Sequence, residues 1–211
     1  MDAQVAELVA QAQRSLSRTP NRFLDALSAG TVPRERLRVL AGELFRLVSS
    51  DRQSFALLAS RFPAHPLFLT MAAGEDEALR LLLDFAAAVG VGEKELHTYE
   101  PLPLAQAYPA FLAQTAMFGP RSAIPLALLV NVGESGGYYT RAADALVERY
   151  GLTEADVAHF RFFAETPEEL LTEAADIVAA GLSIGDDPVV ALRTARMVNA
   201  YEATFWSTLA P

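Results

Sequence analysis

The sequence predicts an all-α fold, and three observations carry that prediction. Ala and Leu dominate while Ile is scarce. Apolar residues recur at helical spacing along nearly all of the 211-residue chain. No segment alternates apolar and polar residues between turn signals, as a half-buried strand would. With 52% hydrophobic residues the chain can bury a sizeable core, so disorder of the whole is excluded, and one domain over residues 1–211 is the simplest organisation.

Seven or eight helices joined by short loops account for the pattern. Val5, Leu8, Val9, Ala12 and Leu16 share a face of the first. Leu37, Leu40, Ala41, Leu44, Leu47 and Val48 stripe the second, which Val32-Pro33 opens and which runs through Phe55, Leu58 and Ala59 to Phe62, before Pro63 and Pro66. Leu67 to Val89 continues with Leu79, Leu82, Leu83 and Phe85 and ends at Gly90. Gly92 to Pro103 is polar and proline-punctuated, which predicts a loop. Leu104 to Phe118 is helical. Arg121 to Tyr150 is helical at both ends with a break expected at Gly133, Gly136 and Gly137. Thr153 with Asp156, and Thr166 with Glu169, are capping signatures for helices over Thr153 to Phe163 and Pro167 to Leu182. Asp187-Pro188 opens the last helix, through Val190, Ala191, Ala195, Val198, Phe205 and Leu209.

Composition excludes several functions. A net charge of -9 with no basic run argues against a nucleic-acid partner. Without cysteine there is no disulfide, thiolate metal site or Cys nucleophile. The longest apolar run, Ile124 to Val130, is far below the roughly 20 residues of a membrane span. Met1-Asp2-Ala3-Gln4 lacks the charged start of a signal peptide, so a cytoplasmic protein is expected. Only His65, His97 and His159 are available. The one carboxylate–His pair at helical spacing, Asp156 and His159, falls at a helix start where a surface Asp and a partly exposed His are expected, so neither metal nor cofactor is expected.

Gly133-Glu134-Ser135-Gly136-Gly137 matches the nucleophile elbow of serine hydrolases. That motif needs a strand of a parallel sheet before it and a triad acid and His after it, and only His159 follows. A glycine-softened helix break offering backbone groups to a ligand is the better reading, with serine hydrolysis the distant alternative. Glu43 and Glu202 lie on otherwise apolar helix faces, where burial raises a carboxylate pKa into the range of acid–base work. Asn131 ends a strongly apolar run. The late aromatics, Tyr138 and Phe205 among them, are core residues from which ring-stacking groups are expected.

The order of these pieces resembles the TenA/PqqC family, whose members share an all-α, haem-oxygenase-like multi-helix bundle. The resemblance rests on Phe23-Leu24-x-x-Leu27-x-x-Gly30-x-Val32-Pro33-x-Glu35-x-Leu37 and on Pro101 to Leu112 with Tyr108. It rests also on the apolar run ending in Asn131 and on Ala200-Tyr201-Glu202-x-x-Phe205-Trp206. It implies a pocket for a small flat heterocycle related to aminopyrimidines and thiamine, and a homodimer or homotetramer. Glu202 would be the acid–base group and Glu43 would hold a ring nitrogen or amine. Tyr108 would stack, and Asn131 would supply a neutral hydrogen bond. Tyr138 and Arg141 echo the PqqC branch, whose histidines are absent. A metal-binding branch has ligands at positions that here are Phe163, Pro167 and Leu170, none of which can bind a metal. The family's usual nucleophile is a Cys, which falls at or beside Asn131. Two functions therefore remain open: hydrolysis of an exocyclic amine by a carboxylate mechanism that needs no Cys, or a non-catalytic ligand-binding or regulatory role.

Overall fold

The computed structural model describes residues 1–16 and 20–210. These form ten helices and no strand: α1 (Ala3–Arg14), α2 (Arg22–Ser28), α3 (Arg34–Arg61), α4 (Leu67–Ala88), α5 (Glu93–Thr98), α6 (Ala107–Phe118), α7 (Ala123–Tyr150), α8 (Ala158–Ala164), α9 (Glu168–Ser183) and α10 (Pro188–Thr208). Local signals set several boundaries. The Asp2 carboxylate accepts from the Gln4 and Val5 amides, the Asn21 side chain from Leu24, and Asp187 from Val189 with Pro188 behind it. Gly151, at φ 73°, ends α7 in the left-handed conformation that glycine adopts without steric penalty.

Four local expectations change. The stretch read as loop contains α5, which Leu96 anchors in the core and whose first turn is closed by the Glu95 carboxylate accepting from the Gly92 N–H at 2.9 Å. The break expected at Gly133, Gly136 and Gly137 does not occur, and α7 runs unbroken over 28 residues. A glycine costs a helix only about 1 kcal/mol, which the packing of α7 readily offsets. Gly136 has a separate role: a Cβ there would stand 2.7 Å from the Ala164 carbonyl oxygen, so its absence lets the end of α8 approach. Thr153 and Asp156 do exchange capping bonds (2.7 and 3.3 Å), but they close a turn ahead of α8. Thr166 caps nothing; Pro167 takes the position before α9 with no side-chain bond.

The long helices α3 and α4 form an antiparallel pair. α7 packs on α10, α2, α8 and α9, and α6 bridges α3 to α10. Their apolar stripes form three clusters: a large one around Phe23, Phe85, Phe160 and Trp206, a second around Val5, Leu126 and Val178, and a third around Phe55, Phe68 and Leu112. Tyr108, near the start of α6, touches all three. No helix among the described residues is long and apolar enough to cross a membrane.

Candidate functional site

Where the three clusters meet, a cavity of about 640 Å³ lies between α3, α4, α6, α7 and α10, with the α8–α9 connection at its rim. Its walls are mostly apolar and aromatic: Phe55, Tyr108, Tyr139, Phe163, Phe205 and Trp206. Volume and lining suit a small ring-bearing molecule. Within these walls stand three carboxylates, Asp51 from α3, Glu75 from α4 and Glu202 from α10.

Each is displaced toward the neutral form. Burial pushes Asp51 well above the ordinary carboxylate value, and the charges of Glu75 and Glu202 add to it. Burial raises Glu75 to about 8. Glu202 is raised to about 7, by burial first and then by the charge of Glu134, while the Ser135 hydroxyl and the Trp206 indole pull it back. The Ser135 hydroxyl donates to Glu202 Oε1 at 2.7 Å. The Tyr108 and Tyr139 hydroxyls are driven further from ionisation by burial and by these acids, so they are neutral donors.

Asn131 also lines the cavity. Its Nδ2 donates to the carbonyls of Ala127 (2.9 Å) and Ala195 (3.2 Å), which leaves Oδ1, buried and without a partner among the described residues, as its available acceptor. Ser135 sits mid-helix with no strand ahead of it, so the glycine motif is not a nucleophile elbow and the serine-hydrolase alternative is corrected. Its hydroxyl donates to Glu202 and, among the described residues, bonds to no His.

Of the residues singled out from sequence, Tyr108, Asn131, Phe205 and Glu202 converge on the cavity, and Glu43 and Tyr138 do not. Glu43 is fully buried on another face of α3, where it accepts from the Tyr99 hydroxyl (2.8 Å), the Leu102 amide (2.6 Å) and Gln106 Nε2 (3.2 Å). One turn along, Arg46 donates to the carbonyls of His97 and Tyr99. Glu43 and Arg46 therefore clamp the segment leading into α6 and Tyr108: Glu43 positions the site and does not line the cavity. Gly42 makes room for the Tyr99 ring, since a Cβ there would stand 2.6 Å from it. The variant Gly42→Ala is expected to lose about 1–3 kcal/mol in urea denaturation, because the base of the ring cannot swing away without breaking the Glu43 contacts. An unchanged midpoint would show that the clamp is loose.

Tyr138 donates to Glu134 at 2.7 Å, and its neighbour Tyr139 occupies the wall instead. His159, expected to be partly exposed, is fully buried among Tyr139, Phe160 and Phe163; its Nδ1 donates to the Ala78 carbonyl at 2.9 Å, and burial lowers its pKa to about 4. Asp156 is turned away, bonded to Thr153, so the two form no pair. Among the described residues no group of three or more His, Asp or Glu side chains is placed to hold a metal ion.

Asp51 and Glu75 were legible by the reasoning that singled out Glu43. Asp51 continues the stripe Leu44, Leu47, Val48 toward Phe55 and Leu58. Glu75 sits between Phe68, Ala72 and Ala78, Leu82 on the buried face of α4.

The model of the TENA/THI-4/PQQC family matches residues 22–133, just over half of the chain. The chain belongs to this family. Solved structures show the same haem-oxygenase-like fold. A TenA homologue from P. horikoshii is 17% identical at a TM-score of 0.70, covering 98% of this chain and 96% of that one. One from Pseudomonas syringae pv. tomato is 13% identical at 0.73, over 98% and 91%. A protein described as a TenA family transcription regulator, from a Silicibacter species, is 14% identical at 0.65, over 98% and 96%. No protein of curated function matches the sequence.

Proposed function

We propose that this TenA-family chain binds a small flat heterocycle of the aminopyrimidine type in the cavity and hydrolyses an exocyclic amine with a carboxylate in place of a thiol. One observation carries the reading: Glu202, raised to about 7, is held by the Ser135 hydroxyl at 2.7 Å inside an aromatic-walled cavity. A carboxyl poised near neutral pH can accept a proton and return it at comparable rates. In its ionised form Glu202 takes a proton from water as the water oxygen bonds to the ring carbon bearing the amine. The same carboxyl then gives that proton to the departing nitrogen, the C–N bond breaks, and ammonia leaves. The Ser135 bond aims the carboxylate, and the neutral hydroxyls of Tyr108 and Tyr139 supply donors to ring nitrogens.

Ammonia release from a panel of aminopyrimidines tests it. Turnover is expected to rise with pH through about 7 as Glu202 ionises. It is expected to fall by about 100-fold or more in Glu202→Gln, the usual loss for a removed general base. Equal rates in the two proteins would sink the assignment. A second reading, binding without turnover, is favoured by Asn131: where the resemblance puts the family thiol there is an amide whose nitrogen is committed to two backbone carbonyls. Thermal stabilisation by an aminopyrimidine that releases no ammonia would select it.

A further inference from the structure

The acids Asp51 and Glu75 have no part in that proposal, yet they are the most costly groups in the cavity. α3 and α4 run antiparallel through residues 62–66. Asp51 lies ten residues before the end of α3 and Glu75 eight residues after the start of α4, or about 15 Å and about 12 Å from the turn. They are therefore level with each other. The ion pair of Arg52 and Asp76, 2.7 Å apart on the outer side of the same helices, agrees with that placement. On the inner side there is no such compensation. Asp51 is 3% exposed and Glu75 8%, both line the cavity, and among the described residues Asp51 Oδ1 and Glu75 Oε2 have no hydrogen-bond partner. Buried carboxylate oxygens without donors are expensive unless something else supplies N–H groups or positive charge.

The groups around them supply neither. From α6 and α7 come the neutral hydroxyls of Tyr108 and Tyr139, and from α10 comes a third acid, Glu202. At the rim stand Glu165 and Arg161; the guanidinium is already bonded to Asp144 (2.7 Å) and to Glu154 (3.1 Å). His159, packed behind Tyr139, is held neutral. The cavity thus has four carboxyl groups and one cation that is engaged elsewhere. With no third metal-ligating side chain placed beside them, a fork of N–H donors fits two facing carboxylates better than a metal ion does.

Resting on the reading of this cavity as a small-molecule site, we propose that Asp51 and Glu75 form a two-carboxylate subsite for the cationic end of the ligand, a planar amidinium-type or ammonium group. Without ligand, burial shifts both acids toward the protonated form. A cation binds the ionised pair, so binding expels protons and tightens as pH rises from 6 to 8.

Calorimetric titration of the full chain with benzamidine and with its neutral isostere benzamide, at pH 6, 7 and 8 and in two buffers of different ionisation enthalpy, tests this. Benzamidine is expected to bind more tightly than benzamide and to release protons. That preference should fall by about tenfold to a hundredfold in Asp51→Asn and in Glu75→Gln, the usual loss for hydrogen bonds to a charged group, while benzamide binding stays within about twofold. Circular dichroism verifies folding; both variants remove a buried acid and should melt no lower than the parent. The proposal is overturned if benzamidine shows no preference over benzamide, if binding releases no protons, or if the preference survives both variants, including the case where only Glu202→Gln abolishes it. Failure with aminopyrimidines alongside success with benzamidine would reject the proposed reaction and leave this subsite standing.

Discussion

The variant Glu75→Gln is expected to stabilise the protein at pH 8 and to change little near pH 4.5. Glu75 is raised to about 8 in the folded chain and returns to an ordinary 4.5 when unfolded. Below 4.5 both states hold the proton and the group is neutral to stability. Between 4.5 and 8 the unfolded chain releases the proton while the folded one keeps it, so stability falls with rising pH, by up to about 1.4 kcal/mol per unit. Removing the titration should return on the order of 3 kcal/mol at pH 8. Asp51 and Glu202 are raised too and have the same sign. His159 opposes them: lowered to about 4, it stays neutral in the folded chain while the unfolded chain protonates it below 6.5, so its contribution is lost as pH falls from 6.5 to 4. Glu77, lowered by its bond to Arg80, has the sign of His159 but is fully exposed, so the three buried acids place the stability maximum on the acid side of neutrality. Melting temperature across pH 4–8.5 reads this directly. Parallel curves for parent and Glu75→Gln would mean that Glu75 is ionised in the folded chain.

Truncating Trp206 to Ala is expected to cost about 3–5 kcal/mol, the range for a large aromatic removed from a core. Trp206 is 1% exposed and is the centre of the aromatic cluster, with ring centroids 6.1 Å from Phe23, 5.6 Å from Tyr139 and 5.6 Å from Phe205. It joins α2, α7 and α10 at once, and it is also a wall of the cavity. The space left by the indole would open into that cavity, so neighbouring side chains could not collapse to fill it. Binding of a flat ligand should weaken in parallel with stability. Phe118→Ala, at a position 76% exposed, is the control and should stay within about 0.5 kcal/mol. Because Trp206 is the only tryptophan, the denaturant midpoints must be followed by circular dichroism. A loss under about 1 kcal/mol would show that the cluster is loosely packed.

The long helices were legible because a buried stripe repeats: Leu37 to Leu58 on α3 and Leu67 to Phe85 on α4 keep helical spacing throughout. Two of the short ones, α2 and α5, were not. α2 and α5 have seven and six residues, too few for a period, and they form because Asn21 and Glu95 close their first turns and because Phe23, Leu24 and Leu96 find the core. The glycines of α7 misled in the opposite sense, since local propensity counts against them while the neighbours of α7 hold the helix together.

The same division runs through the site. An acid on an apolar stripe is visible in the sequence, and Glu43, Asp51, Glu75 and Glu202 all qualify. Whether such an acid faces a ligand depends on partners far along the chain. Tyr99, Leu102 and Gln106 converge on Glu43 and satisfy it, whereas no donor reaches Asp51 Oδ1 or Glu75 Oε2. The absence of cysteine, the helical class and the position of Glu202 near the end of the chain were determined by the residues alone, because composition and period are properties of the line of sequence. The burial of His159, the continuity of α7 and the placing of Asp51 and Glu75 in one cavity were decided only by the tertiary structure. They depend on which helix faces meet, and periodicity says which side of a helix is buried but not what it is buried against.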